Sequence, residues 1–201
     1  AATPVIKTYG GAVTVDEWQA HNLLRQSEDV TTTWYGGSGG VTTVSNDVAN
    51  PINGEVTADK ITGIDSTSDS VNQTVTLLAS TQYTISFYAK TNDSTLSRFK
   101  LWDQNASAYN FTIIIAWSGA VPSTSSTTGS PINILYTDIG DGWYRISATI
   151  TTASAGSNHD MGIDPDRNNS TQGLWFWGAQ INIGSQLQPY TATTATAVAA
   201  K

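Results

Sequence analysis

"GLWFWGAQINI", residues 173–183, is the stretch whose reading decides the fold. Strand side chains alternate between faces, so Trp175, Trp177, Ala179, Ile181 and Ile183 share one parity, and Phe176, Gly178, Gln180 and Asn182 share the other. The first set is wholly apolar. It predicts a strand with both tryptophans turned to a core and Phe176 turned away beside Gln180. The same alternation recurs outward along the chain. It appears in "EVTADKI" (55–61), "SVNQTVTL" (70–77), "QYTISFYAK" (82–90), "SRFKLWD" (97–103), "YNFTIIIA" (109–116), "NILYTDI" (133–139) and "WYRISATIT" (143–151). Gly, Asn, Asp and Ser clusters bound these runs. Short strands at this spacing predict an all-β protein, a single jelly-roll β-sandwich of two antiparallel sheets. Residues 16–27, "DEWQAHNLLRQS", are the one candidate for a short helix.

Composition narrows the function classes. Of 201 residues, 12% are charged, and the net charge is −7 with only 9 Lys+Arg, which argues against nucleic-acid binding. The sequence holds no cysteine, which excludes disulfides, thiol catalysis and Cys-ligated zinc. No apolar run reaches transmembrane length, so no membrane partner is expected. The chain begins at Ala1 without Met or a signal-peptide pattern, the expectation for a processed or excised piece. An extracellular surface of Ser, Thr, Asn and Gly without disulfides suits phage structural proteins, which fold in a reducing cytoplasm.

Three low-complexity pieces punctuate the chain. "YGGSGG" (35–40) and "VPSTSSTTGSP" (121–131) read as flexible loops, and "TATTATAVAAK" (191–201) as a tail that either led on to something else or packs only in an assembly. The expected organisation is an arm over 1–20 with a "YGG" turn, the sandwich over 21–193, and a tail over 194–201.

"NLLRQSEDVTTTW" (22–34), "IGDGWYRISATIT" (139–151) and "FWGAQINIGSQLQPYTAT" (176–193) carry a resemblance. In order and spacing they resemble the jelly-roll module of phage and prophage tail, fibre and other virion proteins, which tends to read NLL-x-x-S-E-D, then G-W-Y-R, then W-G-A-Q. "NGEVTADKIT" (53–62) and "YTISFYAK" (83–90) fit its middle strands. Val30 and Asn182 depart from the usual Phe and Glu, and "PYTAT" replaces Y-I-P-T. The module is similar to jelly-roll carbohydrate-binding modules. The resemblance therefore implies a polysaccharide partner, a virion location with capsid or tail proteins as neighbours, and one structural calcium ion.

Parity then proposes a site. Tyr83, Ile85, Phe87, Ala89, Phe99 and Leu101 read as core. If the two strands share a sheet, Tyr88, Lys90, Arg98, Lys100 and Trp102 share an outer face. Aromatic faces stack on sugar C–H faces, and cationic forks bind hydroxyls or carboxylates. That patch predicts an acidic polysaccharide such as alginate. Tyr109 and Trp117 stand beside predicted loops as rim candidates. In 143–151, Tyr144, Ile146, Ala148 and Ile150 read as core, and Arg145 is expected to meet Gln180 outside, either as polar contacts for a sugar or as a structural hydrogen bond, the second being favoured. Asp164, Asp166 and Asn168 have the spacing that opens an EF-hand, although Asn169 and Trp175 break the pattern, which leaves them as ligands of a looser calcium site. Glu28 and Asp29 are alternative ligands. The two histidines, His21 and His159, offer no triad, so no enzyme is expected. The competing reading is a capsid-decoration or fibre protein that works by self-association, as a homo-oligomer.

Overall fold

The computed structural model describes residues 5–9, 12–16, 21–37, 39–64, 69–153, 156–168 and 170–198. Among them there is no helix. Fourteen strands run β1 (Val5–Tyr9), β2 (Ala12–Asp16), β3 (Tyr35–Gly36), β4 (Thr42–Ala49), β5 (Val56–Thr62), β6 (Val71–Leu77), β7 (Gln82–Thr91), β8 (Leu96–Asp103), β9 (Ala108–Ser118), β10 (Val121–Gly129), β11 (Ile132–Gly140), β12 (Trp143–Thr151), β13 (Ser157–Asp164) and β14 (Gly173–Ile183). β1 and β2 pair as a hairpin within the expected arm, whose "YGG" turn at Gly10 and Gly11 lies outside the described residues.

The other strands form two six-stranded sheets, β10-β9-β8-β13-β6-β3 and β11-β12-β7-β14-β5-β4. Every pairing is antiparallel. This is the jelly-roll sandwich the sequence predicts. Consecutive strands β7 and β8 belong to opposite sheets, as do β10 and β11 and also β13 and β14.

The inner faces bury one aromatic ladder. Phe87 meets Phe99 at 4.9 Å, Phe99 meets Phe111 at 4.9 Å, and Phe176 lies 5.6 Å from both Phe87 and Trp34. Ile85, Leu101, Ile113, Ile146, Met161 and Ile181 close around them. Each such side chain contributes roughly 1.5–3 kcal/mol on leaving water, which is what fixes the strand register.

The stretch that opened the sequence analysis reads differently here. Leu174 and Phe176 point into the core, and Trp175 and Trp177 point out; Ala179 and Ile181 then point in again. The register shifts between Trp177 and Gln180, and Gly178 takes φ 63°. One extra residue at this bulge switches the strand's phase. The region with φ > 0 favours glycine, and a Cβ there would sit 2.8 Å from the Tyr88 ring.

Other expectations fail for related reasons. Residues 121–129 form an edge strand, not a loop. Their Thr-rich backbone pairs with β9, and no apolar alternation marks them because most are exposed. Tyr35–Gly36 is a short strand on β6. The candidate helix is absent over its described part. Asn22 bridges Val198, and 23–28 are bends and turns, with Leu24 N–H donating to Asn22 Oδ1 at 3.1 Å. The same bridge, with Thr193 N–H on Ser27 Oγ at 2.9 Å, docks the described part of the tail.

Candidate functional site

Because β7 and β8 lie in different sheets, the patch expected from parity is split. Tyr88 and Lys90 stand on the outer face of the β7 sheet, whereas Arg98, Lys100 and Trp102 stand on the outer face of the β8 sheet. The two halves do not meet.

On the β8 sheet the register builds a groove in rows. Paired strand residues share a face, so one row is Lys100, Gly162, Asn72 and Tyr35, and the next is Tyr109, Trp102, Asp160 and Thr74. These rows line an open groove of about 530 Å³ with Gly36 and Gly37 at its edge. Tyr109 is 40% exposed and Tyr35 43%, and Trp102 is half-buried. Trp102 and Tyr109 meet edge-to-face at 4.7 Å. Strand parity puts aromatics on this outer face, and among the described residues no other strand covers them.

The floor is polar and fixed. Lys100 is buried and donates from Nζ to Ser70 Oγ at 2.9 Å. Asn72 Nδ2 donates to the same oxygen at 3.1 Å. A Cβ on Gly162 would fall 2.3 Å from Asn72 Oδ1 and 2.5 Å from Lys100 Cε, so the glycine is what lets both side chains lie across β13. Asp160 Oδ1 accepts from Thr74 Oγ1 at 2.7 Å and from Gln104 Nε2 at 2.8 Å. Burial, helped by Arg98 and opposed by Asp164 and Asp160, pulls the Lys100 ammonium down to about 8.

Arg98 sits beside this floor but is spoken for. It forms a 3.0 Å ion pair with buried Asp164 and lies 5.5 Å from the Tyr109 ring centroid, a cation–π distance. Burial pushes the Asp164 carboxyl up to about 7, against the pull of Arg98 and Arg167. The expected cationic patch is therefore divided. Lys90 is on the other sheet, Arg98 pairs with Asp164, and Lys100 shares its groove with Asp160.

Two further candidates are corrected. Trp117 is 6% exposed and its Nε1–H donates to Ser97 Oγ at 2.9 Å, so it is a core anchor and not a rim residue. Tyr88 is 3% exposed, sealed under Tyr190 at 5.9 Å and Trp177 at 5.5 Å. Gln180 serves the backbone of Pro189 and Thr191, and Arg145 lies over Tyr88 with its Nη2 on Ser86 Oγ, so this pair is structural. A second groove of about 580 Å³ opens on that sheet beside Lys90 and Ile139. Its tryptophan, Trp143, is 4% exposed and offers little stacking surface.

The calcium expectation meets a donor set that does not fit. Asp164 ends β13 and faces Arg98 and Arg167. Asp166 accepts from Asn168 N–H, Ser170 N–H and Ser170 Oγ–H, each at 2.7 Å. Asn168 Nδ2 donates to Thr95 Oγ1 at 2.6 Å. Calcium needs several unengaged oxygens converging on one point. Among the described residues no three His, Cys, Asp or Glu side chains are grouped to hold a metal. Glu28 and Asp29 are likewise engaged, by Tyr190 and Thr31.

Sequence reading missed Tyr35, Asn72, Asp160 and Gly162. Tyr35 was hidden in a glycine-rich run. Asp160 was hidden behind His159, which points the other way and is fully buried against Asp103 at 3.6 Å.

No family model matches the chain, and no curated protein does. Solved structures do. A xylanase 10B fragment of Clostridium thermocellum, holding a CBM22-1 carbohydrate-binding module and a GH10 module with xylohexaose, aligns at TM-score 0.51 and 18% identity over 87% of this chain and 30% of that one. The fold is the one carbohydrate-binding modules use. A CBM22-1 xylan-binding domain from Paenibacillus barcinonensis aligns at TM-score 0.45 and 14% identity, covering 81% of this chain and 91% of its own. The enzymatically active domain of a bacteriophage CBA120 tailspike aligns at TM-score 0.45 and 15% identity, covering 81% and 21%. The chain thus spans less than a third of the tailspike and xylanase structures it matches.

Proposed function

We propose that the chain is a non-catalytic carbohydrate-binding module whose ligand lies in the groove on the β8 sheet. The observation that carries this is the group of exposed Tyr35 and Tyr109 and half-buried Trp102 around a fixed polar floor of Lys100, Asn72 and Asp160. Flat C–H faces of pyranose rings stack on such aromatics, and fixed donors and acceptors orient the hydroxyls. The lining carries one cation and one anion, which suits an uncharged polysaccharide better than alginate. On a virion, the location the sequence resemblance implies, such a module would attach the particle to a surface glycan. Affinity electrophoresis in gels containing xylan, β-glucan, galactan, alginate or no polymer tests the reading. Retardation by one polymer, abolished in Trp102→Ala, supports it, and unchanged migration in every gel refutes it.

A structural role in an assembly has its own supporting observation. β10 is a nine-residue edge strand without a charged side chain, with its Val121 exposed, and Ile132 and Leu135 are exposed on β11, the edge strand of the other sheet. Uncharged edges pair readily with other strands. Light scattering across a concentration range distinguishes the two, since self-pairing through β10 requires a dimer or higher state.

A further inference from the structure

We propose that Asp160 makes this groove select uncharged sugars over uronic acids. The inference rests on the glycan reading above and goes beyond it by naming the discriminating residue. Asp160 stands mid-row between Trp102 and Thr74, so a sugar stacked on Trp102 lies beside its carboxylate. Thr74 and Gln104 hold Oδ1 from one side and fix the group's orientation. The Tyr35 hydroxyl stands beside it, 3.2 Å from Thr74 Oγ1, and burial together with Asp160 raises that hydroxyl to about 12. The groove's cation, Lys100, is buried and donates to Ser70, and the neighbouring Arg98 pairs with Asp164, whereas Asp160 is only half-buried. A uronate stacked on Trp102 would therefore meet the anion ahead of the more deeply buried cation. A neutral sugar would instead donate its hydroxyls to a charged acceptor, the stronger kind of hydrogen bond. Discrimination here works by an unfavourable contact with the wrong ligand as much as by a favourable one with the right ligand.

The test is the ratio of Kd values for an oligosaccharide of the uncharged polymer that retards the protein and an oligogalacturonate of equal length, read by titration calorimetry at low salt. Asp160→Asn is isosteric and still accepts from Thr74 and Gln104. Asp160→Ser is made beside it in case the first variant does not fold, and folding of each is checked by its melting temperature. Asp138→Asn, on an exposed strand of the other sheet, removes the same charge far from the groove. The expected result is a shift of about tenfold or more in the ratio toward the uronate for the Asp160 variants, shrinking at high salt, with no shift for Asp138→Asn. A wild type that binds the neutral sugar while the Asp160 variants keep its ratio overturns this inference alone. So does an equal shift in Asp138→Asn, or a wild type that prefers the uronate. A wild type that binds neither sugar overturns the glycan reading itself.

Discussion

The outer faces of the two sheets carry similar side chains and meet different fates. On the β7 sheet, Tyr88, Trp143, Trp175 and Trp177 gather with Lys90 and Arg145; on the β8 sheet, Trp102, Tyr109 and Tyr35 gather with Lys100 and Arg98. The first set is mostly sealed. Residues 184–193 cross that face, with Gln186 and Pro189 carbonyls accepting from Asn182 and Gln180, and with the Tyr190 ring 4.9 Å from Trp177. Among the described residues the second set has no such cover, and Tyr35 and Tyr109 stay exposed. Outward-facing aromatics thus become either a small second core or a binding surface, according to what the chain lays over them.

The comparison can be broken most severely at Trp177. Trp177→Ala should cost about 3–5 kcal/mol of stability, as for other buried aromatics, measured by urea denaturation. Its effect on polysaccharide binding by the folded fraction should be small. Trp102→Ala should show the converse. Expected are a loss of at least tenfold in affinity, about 1.4 kcal/mol, and a stability change below about 1 kcal/mol. If Trp102→Ala unfolds the protein, or Trp177→Ala abolishes binding in folded protein, the two faces have been assigned the wrong way round.

Lys100 sharpens the contrast through pH. Its folded value is depressed to about 8 from an ordinary 10.5, so between those values the unfolded chain holds the proton and the folded chain does not. Stability then rises with pH across this window, and below about 8 the burial penalty is carried in full. Relative to Lys100→Met, the wild type should gain roughly 1–3 kcal/mol between pH 7.5 and pH 10.5, an order-of-magnitude expectation from the linkage relation. Denaturant midpoints of both proteins across that range provide the check. Smallest of all is the effect of a chelator. With Asp164 on arginines and Asp166 capping its own loop, EDTA should move the melting temperature by less than about 1 °C. A larger drop would show that calcium binds elsewhere in the chain.

The alternation of apolar and polar residues was enough to place Phe87, Phe99, Leu101, Ile146 and Ile181 in the core and Lys100 and Trp102 outside it, because strand geometry alone sets that parity. It also set the sandwich class. It failed at Trp175, Phe176 and Trp177, where one bulge at Gly178 inverts the phase of a strand otherwise read correctly. It failed at Trp117 because an edge strand of serine and threonine looks like a loop. The assignment of β7 and β8 to opposite sheets, the burial of Tyr88 under Tyr190, and the meeting of Tyr35, Asn72, Gly162 and Asp160 depend on pairings between residues far apart in the chain. A local pattern fixes which way a side chain points from its strand; only tertiary packing decides which sheet holds that strand and whether anything covers it.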